Sequence, residues 1–120
     1  MRDSLNSNVG GRTLLMHAAF GGDLDIVIRL LGQGSDPNAH DEGGDTALMF
    51  AAMRGHLPVV RALLAHGADP LALANNGWTA LQFAESRHHE GVAALLRQAE
   101  EEAYREAMRR IEAEMGGEAR

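Results

Sequence analysis

The chain contains no cysteine. Disulfides, thiolate nucleophiles and cysteine-ligated zinc are therefore excluded. It also lacks lysine: all 11 basic side chains are arginines, scattered along the sequence, against a formal net charge of −6. Phosphate backbones and anionic bilayers are bound by clustered cations, so nucleic acid and membrane surfaces are poor partners for this chain. Aromatic residues make up only 4%. The core must be assembled from Leu, Ala, Val, Ile and Met, which suits close helix packing better than a β-sandwich. No apolar run approaches the roughly 18 residues of a membrane-spanning helix. The N-terminal MRDSLNSNVGGRTLL lacks the apolar centre of a signal peptide. A cytoplasmic location is the expectation, and Met1 standing just ahead of the first ordered pattern suggests a short free-standing protein.

The 120 residues suit one compact domain, and 45% hydrophobic with 23% charged residues is an ordinary globular balance. The informative feature is a repeat. Thr13, Thr46 and Thr79 are spaced 33 residues apart, and so are Gly11, Gly44 and Gly77. Leu15, Leu48 and Leu81 keep the same interval, as do Ala18, Ala51 and Ala84. Gly34-Ser35-Asp36-Pro37 maps onto Gly67-Ala68-Asp69-Pro70, and Gly22-Asp23-Leu24 onto Gly55-His56-Leu57.

Each unit can be read locally. A glycine turn precedes a threonine N-cap, and in the third unit Thr79 and Gln82 form a capping box. Short helices follow over 14–20, 47–53 and 80–85, with Leu and Ala on one face. Gly22 and Gly55 end the first two of these. A second helix starts near Asp25 or Pro58, where a first-turn proline is tolerated. Its apolar stripe is Ile26, Val27, Leu30 and Leu31 in unit one, and Val59, Val60, Leu63 and Leu64 in unit two. Gly34 and Gly67 stop these helices, and an extended loop leads into the next unit. One such helix pair cannot bury its apolar face alone, whereas roughly three stacked units can.

The pattern resembles the ankyrin repeat, most clearly at Gly44-Asp45-Thr46-Ala47-Leu48-Met49-Phe50-Ala51-Ala52, Gly55-His56-Leu57, Leu63-Leu64 and His66-Gly67-Ala68-Asp69. The resemblance spans about residues 8–99. It implies an all-α solenoid of three stacked helix-turn-helix units with hairpin-like loops, to which the residues of the tail add an extended C-terminal helix. The corresponding division is an N-terminal lead over 1–7, repeats over 8–40, 41–73 and 74–103, a helical extension over 104–115 and a disordered tail over 116–120. The family's proline is replaced by Leu14, Ala47 and Ala80. Its histidine, associated with hydrogen bonds between neighbouring loops, is replaced by Met16, Met49 and Gln82. In unit three His88 takes the place of the helix-ending glycine, and Glu100-Glu101-Glu102 that of Gly-Ala-Asp, as in a terminal cap.

From Val92 to Met115 there is neither Gly nor Pro, and Glu101–Arg105 and Glu106–Arg110 have the i,i+4 spacing of helical ion pairs. Val92, Leu95, Leu96, Ala99 and Ala103 form one stripe. Tyr104, Met108, Ile111 and Met115, with Ala107, form another, turned by roughly 100° about the helix axis. A straight helix cannot aim both at one core. Either it bends near Glu100–Glu102 and folds back, or it runs on as a helix of roughly 40 Å. In the second case the latter stripe is free to meet a partner helix or a second copy.

The chemistry to be weighed is thin. His56 and His66 stand where the family commonly carries histidine, His17 reads as a packed helix residue, and His88 and His89 diverge on a helix. His56 and His89 are repeat equivalents on helices about 8–10 Å apart, whereas zinc–nitrogen bonds are about 2.0–2.1 Å. No Ser/His/Asp set or phosphate-cradling loop is present. The expectation is no catalytic residue, no cofactor and no metal. The resemblance implies a protein-binding adaptor or regulator that uses its loop tips and first helices as a cupped face. Carried across by register, the loop positions are Arg12, His40, Glu42, Asp45, Leu73, Asn75, Asn76 and Trp78. The helix positions are Phe20, Met53, Arg54 and Arg87. Phe20, Met53, Leu73 and Trp78 are candidates for an apolar streak, with Trp78 equally readable as loop scaffold. The alternatives are a structural module that self-associates through the C-terminal helix and, more remotely, an enzyme or metal-binding protein.

Overall fold

The threonines of the repeat set where the chain turns into helix. In a computed structural model that describes residues 9–116, each holds extended backbone immediately before a short helix. These helices are α1 (Leu14–Gly21), α3 (Ala47–Arg54) and α5 (Ala80–Ser86). Each is followed by a second, α2 (Leu24–Gly32), α4 (Leu57–Ala65) and α6 (Glu90–Gly116). The Thr13 hydroxyl accepts from the Met16 N–H at 3.1 Å and the Thr46 hydroxyl from the Met49 N–H at 3.3 Å. In return Met16 Sδ and Met49 Sδ accept from the threonine N–H groups, each at 3.4 Å. In unit three Gln82 Oε1 takes that place at 3.0 Å. Two of the three boxes thus close on a thioether, a weak acceptor that also fills core volume.

Gly22 and Gly55 end α1 and α3 in the left-handed conformation, at φ 75° and 72°. The next N–H then reaches back to Ala18 and Ala51 carbonyls, each at 3.0 Å. Unit three keeps the same bond, from His89 to Ala84, with His88 in the left-handed position at φ 62°.

The first helices pack as one layer, α1 on α3 on α5, and the second helices as another, α2 on α4 on α6. The core lies between them. α3, covered on both sides, buries Ala47, Leu48, Met49, Phe50, Ala51 and Ala52, and α4 contributes Val59, Val60 and Leu63. The terminal units bury less. Val27 and Leu31 of α2 are buried, but Ile26 is 42% exposed, although its equivalent Val59 is 1% exposed. The stripe expected for unit one is therefore only partly a core stripe, because among the described residues no earlier unit covers that side. Leu14, Ala18, Ile26 and Leu30 line an open groove of about 510 Å³ there.

At the other end α6 caps the stack with Val92, Ala93 and Leu96. It is one uninterrupted helix of 27 residues, so the bend considered at Glu100–Glu102 is absent. Of the two apolar stripes the first holds the stack, and the helix overhangs with the second in solvent. The expected Glu106–Arg110 pair forms at 3.7 Å, whereas Glu101 and Arg105 do not pair, and Glu106 instead also holds Arg109 at 3.1 Å. Gly116, assigned to a disordered tail, is the last residue of α6. The rest of that tail, 117–120, and the N-terminal lead over 1–7 lie outside the described residues. No described helix is long and apolar enough to cross a membrane.

Candidate functional site

The loops ahead of α3 and α5 are narrow hairpins. His40 bridges Thr46, the Asp41 N–H donates to the Asp45 carbonyl at 3.0 Å, and one repeat later the Ala74 N–H donates to the Trp78 carbonyl at 2.9 Å. Neighbouring hairpins are laced together through equivalent groups. The Glu42 N–H donates to the Gly10 carbonyl and the Asn75 N–H to the Gly43 carbonyl, both at 2.9 Å. Asn75 Nδ2 adds a bond to the Glu42 carbonyl at 2.9 Å. On the opposite side of the units, Asn38 donates to the Gly67 carbonyl at 2.9 Å and accepts from the Asp69 N–H at 2.7 Å. The loops are thus hydrogen-bonded to one another along the stack, with Met16, Met49 and Gln82 at the positions of the family's histidine.

Asp41 sets the geometry of the first hairpin. Its Oδ1 accepts from the Gly43 and Asp45 N–H groups at 3.0 and 2.8 Å, and its Oδ2 faces Arg12 Nε at 3.4 Å. The carboxylate is buried and the arginine half-exposed. The neighbouring Asp45 carboxyl is harder to ionise than usual. Burial contributes most and the Asp41 charge adds to it, while Arg12 offsets part of the effect.

Beside this hairpin α1 and α3 carry an aromatic pair, Phe20 exposed and Phe50 buried. Phe20 and Phe50 meet edge to face with centroids 6.0 Å apart. The Arg54 guanidinium lies 4.7 Å from the Phe20 centroid and that of Arg12 lies 5.5 Å from Phe50. Arg12, Met16, His17, Phe20 and Phe50 line a cleft of about 300 Å³. His17, expected to be packed, is exposed in its wall, because the outward face of α1 has no helix over it. Trp78 is half-buried and packs edge to face on Phe83 at 5.1 Å, a scaffold contact.

Of the positions inferred from the sequence, Arg12 and Phe20 come together in the cleft lining, Arg54 lies over the Phe20 ring, and Asp45 is beside Arg12. Met53 packs against the core and is half-buried. Leu73 is exposed on its loop, as is Arg87 where α5 ends. His40, Glu42, Asn75 and Asn76 are exposed too, but each also serves the loops: His40 Nδ1 meets the Asp41 carbonyl at 3.2 Å, and Asn76 Oδ1 accepts from the Trp78 N–H at 3.0 Å. Tyr104, Met108, Ile111 and Met115 are all exposed on α6, remote in sequence from the cleft residues. Phe50 and Asp41 were overlooked by the reading of the sequence. Phe50 follows the exposed His17 by one repeat and precedes the half-buried Phe83 by another, yet it is itself buried and still lines the cleft. Asp41-x-Gly43 is a local signal for a side chain that bonds its own turn.

Two of the histidines tie neighbouring units together. His56 Nε2 meets the Phe20 carbonyl at 3.0 Å, and its repeat equivalent His89 Nε2 meets the Met53 carbonyl at 2.9 Å. Each ring points back to the preceding unit, so the two do not converge. Among the described residues no group of three or more His, Asp or Glu is placed to hold a metal ion.

A family model described as ankyrin repeats matches residues 4–105 in three copies. No curated protein matches the chain. Ankyrin repeats are in general protein–protein interaction modules, and chains built from them are typically not enzymes.

Proposed function

The chain belongs to the ankyrin-repeat family, and on that premise we propose that it is an adaptor or regulatory binding protein that grips a segment of another protein along its hairpins and first helices. The observation that carries this reading is the open cleft lined by Arg12, Phe20 and Phe50, with Arg54 stacked on the Phe20 ring. A single exposed apolar side chain means little. Here an exposed phenylalanine, a second ring at right angles to it and the Arg12 guanidinium line one recess, the Arg54 guanidinium stacks on the exposed ring, and aromatic and arginine side chains are the usual energetic anchors of interfaces. Arg54 and Arg87 have no carboxylate partner among the described residues. The ligand best suited to the recess is a peptide segment with an apolar side chain next to a carboxylate. The side chain would enter against Phe20, and the carboxylate would be held by guanidinium, a geometry that arginine serves well.

Affinity capture from the source cells, comparing the native chain with the Phe20→Ala/Arg54→Glu double variant, tests this. Both positions lie outside the core, so helicity should stay the same while the specific partner is lost. Retention of that partner by the variant would rule out the cleft.

A further inference from the structure

The overhanging end of α6 carries an apolar seam that nothing in the described chain covers. Tyr104, Met108, Ile111 and Met115 are 59%, 53%, 46% and 61% exposed. Their spacing of four, three and four residues is that of alternating core positions in a two-helix coiled coil. The segment is already helical and rooted in the stack by Val92, Ala93 and Leu96, so pairing it requires no ordering of chain.

The charges beside the seam point to its occupant. Glu106 holds both Arg109 and Arg110, on the side away from the seam. Of the charges flanking the seam, Arg105, Glu112 and Glu114 have no ion-pair partner among the described residues. Arg105 and Glu112 stand seven residues apart, on the same flank of the seam.

We propose that this segment pairs antiparallel with the same segment of a second copy. Met108 then faces Ile111 of the second copy, and Tyr104 faces its Met115. In that alignment Arg105 meets Glu112 of the second copy, and the two-fold axis repeats the contact, so this opposite-charge pair forms twice. On the other flank Ala107 meets Glu114 without like-charge conflict. A parallel pair would stack Glu101 on its own copy in the layer before Tyr104 and would crowd both solenoids at one end. The antiparallel pair sets the solenoids at opposite ends. Four half-exposed side chains and their flanks remove on the order of 1,000 Å² from water in total, the lower bound for a specific interface. An interface of this size is at the weak end, so self-association is sought up to high concentration.

Sedimentation velocity on the full chain, from about 1 to about 200 μM, should show the mean mass rising from one chain toward two. Met108→Glu/Ile111→Glu should stay monomeric at every concentration with an unchanged helical spectrum, since both side chains are solvent-exposed. Arg105→Glu should weaken the dimer roughly tenfold, and Arg105→Glu/Glu112→Arg should restore it. Because the chain has no cysteine, orientation can be read by cross-linking. An equimolar mixture of Met108→Cys and Ile111→Cys chains should form the mixed disulfide in preference to either symmetric one. A chain that is monomeric throughout, a dimer that survives the double glutamate, a charge swap that fails to rescue, or a dominance of symmetric disulfides would each overturn the proposal.

Discussion

His88 occupies a backbone conformation that its two repeat equivalents give to glycine. Its φ of 62° lies in the left-handed region, where an L-residue costs roughly 1–2 kcal/mol. His88→Gly should therefore raise the unfolding free energy by about 1 kcal/mol in a urea titration. The reverse change in unit two is far worse. A Cβ on Gly55 would stand 2.5 Å from the His89 ring, at φ 72°. Gly55→Ala therefore meets both a backbone penalty and a clash with the ring that ties α6 to α3, and should cost more than about 2 kcal/mol. Asp45 gives a pH signature. Its carboxyl is raised above 3.8 in the folded chain, chiefly by burial and then by Asp41. Between the unfolded and folded values the native state binds more protons, so this group's contribution to stability falls as pH rises through that window. Its ionised form is then a cost at neutral pH, modest because solvent reaches the group. Denaturation of Asp45→Asn beside the native chain should show a higher neutral-pH stability for the variant and a loss of that decline. An equal slope in both chains would contradict the assignment.

Among the helices, legibility followed repetition. Five of the six could be placed within a residue or so because threonine, glycine and the Leu/Ala pattern recur at fixed offsets, and each recurrence has a local physical cause. What repetition did not carry was harder to see. Whether α6 bends depends on which of its two stripes wins a partner. Nothing between Glu100 and Glu102 breaks a helix, so hydrogen-bonded continuity prevailed over burial of Tyr104 and Met108. The site was legible as a set of outward positions but not as a cleft. Its depth depends on Phe50 lying beside Phe20, a contact between residues of different units, and on Asp41 fixing a hairpin by bonds to its own turn. The ties between units were likewise hidden in residues that looked unremarkable, such as His56, His89 and Asn38. His89→Ala removes the bond to the Met53 carbonyl and should cost about 1–2 kcal/mol in chemical denaturation. Exchange of the amides at the start of α6 should quicken in the same variant.

The whole molecule is longer than a sphere of its size. Its radius of gyration is 15.5 Å, against about 14 Å for a compact domain of 120 residues. Three units lie near the minimum for a stable array, so none should survive the loss of its neighbour. Leu63 is fully buried in the middle unit, and Leu63→Ala should cost about 2–5 kcal/mol. Trp78 reports on the third unit. Its fluorescence midpoint should shift together with the far-ultraviolet circular dichroism midpoint, as one transition, and separate midpoints would show that the units melt independently. The two ends of the array are unlike. Among the described residues no further helical pair covers the groove bounded by Leu14, Ala18, Ile26 and Leu30, whereas the opposite end is occupied by α6. An engineer splicing in a fourth unit would therefore find the fold permissive in one direction only: grafted ahead of Thr13 the addition has a surface to land on, while behind Ala84 it must first evict the helix already sitting there.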